Sequence, residues 1–184
     1  LLAANCRPVG LELNSKAAGR AVSRGLDVST QTIQDFAKEN AESFDAVCFF
    51  QVLEHVSEVA DFLTSAVSVL KQGGLLVVGV PNNNPYLHRQ DRLHTLNLPP
   101  HHMGLWDKQS LEKLGGYFGL LVQAVKVEPV YEARKQLAAV LRSRGWNKSA
   151  DLVKRLPRVF DRLVGKTIGQ KMDGRNLLAV YEKL

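Results

Sequence analysis

The longest uninterrupted apolar run in the chain is Leu75-Leu76-Val77-Val78-Gly79-Val80, with Gly73-Gly74 before it and Pro81 after it. That is the size and punctuation of a buried strand, and it falls far short of the roughly 20 residues that span a bilayer. Shorter runs of the same kind recur at Pro8 to Leu13, Leu26 to Val28, Phe44 to Phe50, Leu120 to Val127 and Leu177 to Tyr181. Amphipathic stretches lie between them. Ser15 is placed to cap a helix carrying Ala17, Ala18, Ala21 and Val22, which Gly25 ends. Thr32 to Lys38 reads as a short helix with Ile33 and Phe36 facing inward. Ser57 precedes a stripe of Val59, Phe62, Leu63, Ala66 and Leu70, for which Gly73 or Gly74 offers a left-handed stop. Asp107 caps a helix with Leu111 and Leu114. Strand and helix alternate throughout, which predicts an α/β fold with a mostly parallel sheet and helices on both faces. The last two strands, joined by an extra helical segment, predict an antiparallel strand at an edge.

The 184 residues, 45% hydrophobic and 23% charged, suit one globular domain over 1–184 and exclude a disordered or fibrous chain. Two cysteines, Cys6 and Cys48, make no disulfide framework and point to a reducing, cytoplasmic setting. Charge is unevenly spread: residues 1–130 hold 11 Lys/Arg against 13 Asp/Glu, and residues 131–171 hold 11 against 3. That basic helical insertion includes Arg134, Lys135, Arg142, Arg144, Lys148, Lys154, Arg155, Arg158, Arg162, Lys166 and Lys171, interleaved with Leu137, Val140, Leu141, Leu152, Val153 and Leu156. It reads as a solvated face, as a contact for anionic lipid, or as a contact for a phosphorylated acceptor. Nucleic acid is not expected, because the chain carries no recognised nucleic-acid motif. Residues 81–106, rich in Asn, Pro and His, form a connection long enough to be a lid over a substrate. It carries Tyr86, His88, His94, His101, His102, Met103 and Trp106.

Ligands of open α/β sheets sit at the carboxyl ends of the strands. Glu12, at the end of the first run, can accept hydrogen bonds from both hydroxyls of a ribose; it can equally be a solvated strand-end acid. Phe44-Asp45-Ala46-Val47 with Val52-Leu53-Glu54-His55-Val56 is followed one helix later by Leu70-Lys71-Gln72-Gly73-Gly74-Leu75 and Val80-Pro81-Asn82. Together with Val9-Gly10-Leu11-Glu12-Leu13-Asn14, these motifs resemble the class I S-adenosylmethionine-dependent methyltransferases, in particular the small-molecule and ubiquinone-pathway O-methyltransferases. The resemblance runs from about Arg7 to Leu121 and implies a Rossmann-like sheet that binds S-adenosyl-L-methionine. It implies that Glu12 holds the ribose, that Leu13 and Asn14 flank the adenosine, and that Thr32 and Ile33 meet the adenine, although the family usually has Asp at the position of Thr32. It also implies that Phe50 and Gln51 line the methionine end near the sulfonium, with Phe49 in the core. In that family's sheet order one strand separates Cys6 from Cys48, so they stand about 9–10 Å apart and cannot bridge.

The activity so implied is methyl transfer to an oxygen or nitrogen of a small-molecule acceptor, with His55 as candidate general base. Glu54 and His55 can instead cap the following helix and order the loop. Some related enzymes that methylate catechols or ribose hydroxyls hold a divalent cation on an acid three residues before the Glu, the Glu-His pair and a later His. Gln51 stands where that acid would be, so no metal is expected, and zinc lacks cysteine partners. Two other functions compete: a non-catalytic S-adenosylmethionine-binding or interaction protein acting through its basic helices, and a nicotinamide-dependent oxidoreductase. A homo-oligomer is compatible with all three. The family's glycine-rich turn belongs just upstream of Glu12, yet residues 1–11 hold only Gly10. The first strand and first helix are therefore expected to be missing, with Leu1 to Asn5 the tail of that helix. The sheet is then expected to have a gap between the strands ending at Glu12 and Phe50.

Overall fold

A computed structural model of the chain describes residues 6–83, 98–128, 134, 137–138, 141–142, 144–157, 159–161 and 174–184. Expectations that fall on Leu1 to Asn5, Tyr86, His88, His94, Lys135, Val140, Arg158, Arg162, Lys166 and Lys171 lie outside these residues. The elements in chain order are β1 (Val9–Leu11), α1 (Ser15–Val22), β2 (Asp27–Ser29), α2 (Ile33–Glu39) and β3 (Phe44–Phe50). A 3-10 turn (Leu53–His55) follows, then α3 (Val59–Ser68), β4 (Leu70–Pro81), α4 (Lys108–Tyr117), β5 (Leu120–Val127), α5 (Asn147–Lys154) and β6 (Asn176–Lys183). No helix among the described residues is long and apolar enough to cross a membrane.

β1 and β2 pair in parallel as a two-stranded sheet, and the other four strands form a second sheet in the order β3-β4-β6-β5. β3 and β4 are parallel, and β6 runs antiparallel to both β4 and β5. Among the described residues no strand joins β1 to β3, so the expected gap is present, and the outward edges of both strands are unpaired. The last two strands pair antiparallel at the edge of the sheet, as expected, with β6 internal and β5 outermost. The side chains explain this order. Leu177, Ala179 and Tyr181 of β6 are at most 1% exposed and need strands on both sides, whereas β5 presents Gln123 and Lys126 to solvent, which suits an edge.

Local chemistry also shifts three of the expected boundaries. Asn14, not Ser15, caps α1: its side-chain oxygen accepts from the amides of Lys16 and Ala17. α3 begins two residues after Ser57, and Glu58 occupies its cap position without a side-chain hydrogen bond. That helix ends at Ser68, before the glycines. Gly73, with φ +72°, and Gly74 lie instead in an excursion of β4, where Leu70 pairs with Phe44 and Leu75 with Ala46. A Cβ on Gly74 would lie 2.8 Å from the Lys71 carbonyl oxygen, so the excursion requires glycine there. Asp107 caps α4 as expected, its carboxylate accepting from the Ser110 amide.

Alternation along β4 places Leu76, Val78 and Val80 on one face, with Tyr181 of β6 beside Leu76. α3 contributes Leu63 and Ala66 to this core, and α4 contributes Leu111 and Leu114. Phe62 of α3 meets Phe49 edge-on with ring centroids 5.2 Å apart. The Tyr181 hydroxyl donates to the Leu111 carbonyl at 2.8 Å, and burial raises its pKa, so it stays a neutral donor. Cys6 and Cys48 form no disulfide.

The alternation yields a contrast between adjacent residues. Leu76 is fully buried and Leu75 is 39% exposed. Leu76→Ala should cost about 2–5 kcal/mol and Leu75→Ala less than about 1 kcal/mol. Urea midpoints at equal m-value would measure both, and equal losses would mean that the strand's facing is wrong.

Candidate functional site

The candidate residues lie on four segments that follow the carboxyl ends of β1, β2, β3 and β4. At the end of β1, the Glu12 amide donates to the Ser29 carbonyl at 3.0 Å, keeping the chain on β2 for one residue beyond the strand. The Glu12 carboxylate oxygen Oε1 accepts from the Asn14 amide at 2.8 Å. Asn14 spends its own side-chain oxygen on capping α1, and Leu13 between them is 68% exposed. Glu12 is thus oriented by a backbone donor while its carboxylate keeps capacity for further donors.

Thr32 is the N-cap of α2. Its hydroxyl accepts from the Asp35 amide at 3.1 Å and donates to the Asp35 carboxylate at 2.9 Å. The hydrogen bond from Lys38, then that from Thr32, holds the Asp35 carboxyl below its ordinary pKa. Ile33, the first residue of α2, is partly buried against the core.

At the end of β3, Phe49 turns into the core and Phe50 turns out, 57% exposed, so Phe50 is not a core residue. Phe50 pairs with Gly79 of β4, where a Cβ would lie 2.6 Å from its ring carbon Cδ1. The Gln51 amide donates to the Gly79 carbonyl at 2.8 Å, and Gln51 itself is left-handed with φ +55°. For a residue with a Cβ this conformation stores strain of the kind that gathers at functional sites.

The 3-10 turn then buries Leu53 and Glu54 and leaves His55 toward solvent. The segment returning from the long connection docks on this turn. The Glu54 carbonyl accepts from the amides of Met103 at 2.7 Å and Gly104 at 3.1 Å, and His55 Nδ1 lies 2.5 Å from the His101 carbonyl oxygen. A carbonyl only accepts, so Nδ1 carries the proton, and the lone pair of the neutral ring is on Nε2. His102 packs edge-on to His55 with centroids 5.0 Å apart. Asn82 fastens the other end of the connection: its side chain donates to the Gly174 carbonyl, and it bridges to Trp106. Glu54 and His55 therefore do order the loop, but they do not cap α3.

Glu54 is 1% exposed, and its Oε2 has no hydrogen-bond partner among the described residues. Burying such an atom unsatisfied costs about 1–3 kcal/mol. His55 Nε2 is 3.9 Å from Glu54 Oε1. The sequence offers both His101 and His102 as later histidines and does not choose between them; the fold brings the His102 ring to this pair and spends the His101 carbonyl on His55.

In the basic segment, Arg134 is committed to Asp161 and to the Leu156 carbonyl, and Arg142 to Asp151. Trp146 and Leu152, at 59% and 67% exposed, stand beside Lys148 on the surface.

The parallel strand pairs with helices between them define a Rossmann-like α/β domain, a fold whose ligands sit at the carboxyl ends of the strands. The chain belongs to the methyltransferase-domain family, which matches residues 1–125. Over 60 residues it is 38% identical to a ubiquinone biosynthesis O-methyltransferase of Xanthomonas axonopodis pv. citri, covering 33% of this chain and 25% of that protein. Over 68 residues it is 35% identical to the protein of the same name in Caulobacter vibrioides, covering 36% and 27%. The aligned stretch thus spans about a quarter of these relatives' length. The fold matches a SAM-dependent methyltransferase from Thermotoga maritima with TM-score 0.62 at 17% identity, over 96% of this chain and 72% of that one. It matches one from Archaeoglobus fulgidus with TM-score 0.59 at 16% identity, over 95% and 75%.

The strain at Gln51 is measurable. Gln51→Gly should raise stability by about 1 kcal/mol, because glycine adopts positive φ without penalty, while removing the amide from the site. Unchanged or lower stability in chemical denaturation would show that Gln51 is not held in this conformation.

Proposed function

We propose that the chain is an S-adenosylmethionine-dependent methyltransferase domain that passes a methyl group to an oxygen or nitrogen of a small acceptor. The observation that carries this reading, beside family membership, is the pair of strand ends: Glu12 held by the Asn14 amide at one, and Phe50 with Gln51 turned outward at the other. The Glu12 carboxylate accepts from the ribose hydroxyls, and Leu13 and Asn14 flank the adenosine. The Thr32 hydroxyl has its proton and one lone pair engaged by Asp35, so its second lone pair is what remains for the adenine amino group; Ile33 supplies an apolar face. The Phe50 ring and Gln51 amide face the sulfonium, where an aromatic face attracts a cation without covering its methyl.

Transfer breaks the sulfur–methyl bond with its electron pair returning to sulfur, and forms the bond from methyl to the acceptor atom. The acceptor's proton goes to His55 Nε2, whose lone pair is presented because Nδ1 donates to the His101 carbonyl. Positioning of the two reactants supplies much of the rate. The exposed cations of the basic segment serve as a surface for an anionic acceptor or lipid headgroup.

Two measurements test this. Isothermal calorimetry should show S-adenosylhomocysteine binding that Glu12→Ala weakens about 10- to 100-fold, the loss of charged hydrogen bonds worth about 1.5–3 kcal/mol. With a panel of phenolic and amine acceptors, His55→Asn should lower transfer about 10²- to 10⁴-fold at unchanged S-adenosylhomocysteine affinity. Binding of NAD alone would overturn the reading. Binding without transfer to any acceptor would favour a non-catalytic adenosyl-binding protein.

A further inference from the structure

Beyond methyl transfer, we propose that the outward face of α5 seats this domain on an anionic bilayer surface, with Trp146 and Leu152 entering the headgroup boundary among cations. Of the two anionic partners open to the basic segment, an acceptor and a lipid headgroup, the apolar residues on this face select the lipid.

Internal pairing leaves the surface with one sign of charge. Residues 131–171 hold 11 Lys/Arg against 3 Asp/Glu. Two of the three acids, Asp151 and Asp161, are engaged by Arg142 and Arg134. Arg144, Lys148, Lys154 and Arg155 are exposed and make no ion pair among the described residues. A cluster of this kind attracts polyanions.

α5 packs inward through another face. Ala150 is fully buried and Val153 partly buried, and residues three apart share one side of a helix. Lys148, Leu152 and Arg155 follow at spacings of four and three, so they share a different side; Arg155, at the C-cap, keeps helical backbone angles. Leu152 is 67% exposed there, a leucine that the core does not use, with a cation on either side. Trp146 occupies the N-cap position of the same helix without a side-chain capping bond. It lines one open depression of the surface with Lys148 and Ser149. Val159, beyond Pro157, is 65% exposed as well.

Each of these residues alone would be ordinary on a protein surface. Their combination discriminates between partners. A soluble phosphorylated ligand is held by charged groups converging in a concave site, and it gains nothing from a leucine and an indole that project outward. At a bilayer surface the same side chains have separate partners. Lys and Arg meet headgroup phosphates, leucine enters the acyl boundary, and an indole rests at the interface. Among the described residues no helix is long and apolar enough to cross a membrane, so this contact is peripheral and sensitive to salt.

The test floats the whole chain with vesicles of phosphatidylcholine alone, and with vesicles of equal parts phosphatidylcholine and phosphatidylglycerol, with no methyl donor or acceptor present. The chain should rise with the mixed vesicles at low salt and stay behind with phosphatidylcholine. It should be released as salt approaches about 1 M, where charges are screened beyond about 3 Å. Lys148→Glu combined with Arg155→Glu should weaken vesicle affinity at least about 25-fold, about fivefold for each cation removed. Brominated acyl chains should quench the wild-type fluorescence, and the quenching should vanish in Trp146→Phe, which leaves Trp106 as the other tryptophan. All three substituted side chains are exposed, and circular dichroism should show each variant folded. Absence of flotation, equal flotation with both vesicle types, or an unchanged double variant would overturn the proposal. So would equal quenching in wild type and Trp146→Phe. Tighter binding to the soluble headgroup glycerophosphoglycerol, or to single-stranded RNA, than to the mixed vesicles would overturn it too, by assigning the face to that ligand. None of these outcomes alters the S-adenosylhomocysteine measurements.

Discussion

The parallel pairing of β3 with β4, in the register that sets Phe50 opposite Gly79, is the constraint on which the rest of the site depends. Because Gly79 has no side chain, the Phe50 ring can lie against it, and the next amide, that of Gln51, still reaches the Gly79 carbonyl. The chain must then leave the strand in a left-handed turn. That turn buries Leu53 and Glu54 and leaves His55 toward solvent. A bulkier residue at 79 would displace Phe50 and, with it, the direction of everything from Gln51 to His55.

The same turn organises the far side of the long connection. Its backbone acceptor, the Glu54 carbonyl, collects two amides from Met103 and Gly104. Asn82, buried at the end of β4, holds the neighbouring backbone of Gly174 and Arg175 and bridges to Trp106. One end of the connection is thus held just after β4 and the other on the 3-10 turn that follows β3. Loops that cover sites are commonly fixed at their ends and variable between, and here the fixing groups are mostly main-chain atoms, which any sequence can supply.

That distinction explains what was legible in the sequence. Strands were readable because β3 and the Leu75 to Val80 part of β4 are short apolar runs, the second bounded by Gly74 and Pro81, and the Asp107 cap because its carboxylate stands three residues before Ser110. Less legible were features decided by competition between adjacent residues. Asn14 and Ser15 are both good caps, and Asn14 wins because Glu12 engages its amide and fixes the approach to α1. Gly73 resembles a helix stop and is indeed left-handed, but α3 has already ended and the glycine serves an excursion in β4. The place of β6 depended on which of two late strands could tolerate an open edge, a difference carried by Gln123 and Lys126.

Glu54 is buried with Oε2 unpartnered among the described residues, yet its backbone carbonyl is the acceptor that collects the Met103 and Gly104 amides. His55 beside it is also held by main chain: Nδ1 meets the His101 carbonyl, so the imidazole cannot turn over without breaking that contact, and Nε2 stays 3.9 Å from Glu54 Oε1. The backbone tie between His55 and residue 101 is therefore more than loop anchoring: the contacts that dock residues 101–104 on the 3-10 turn also fix the orientation of the ring.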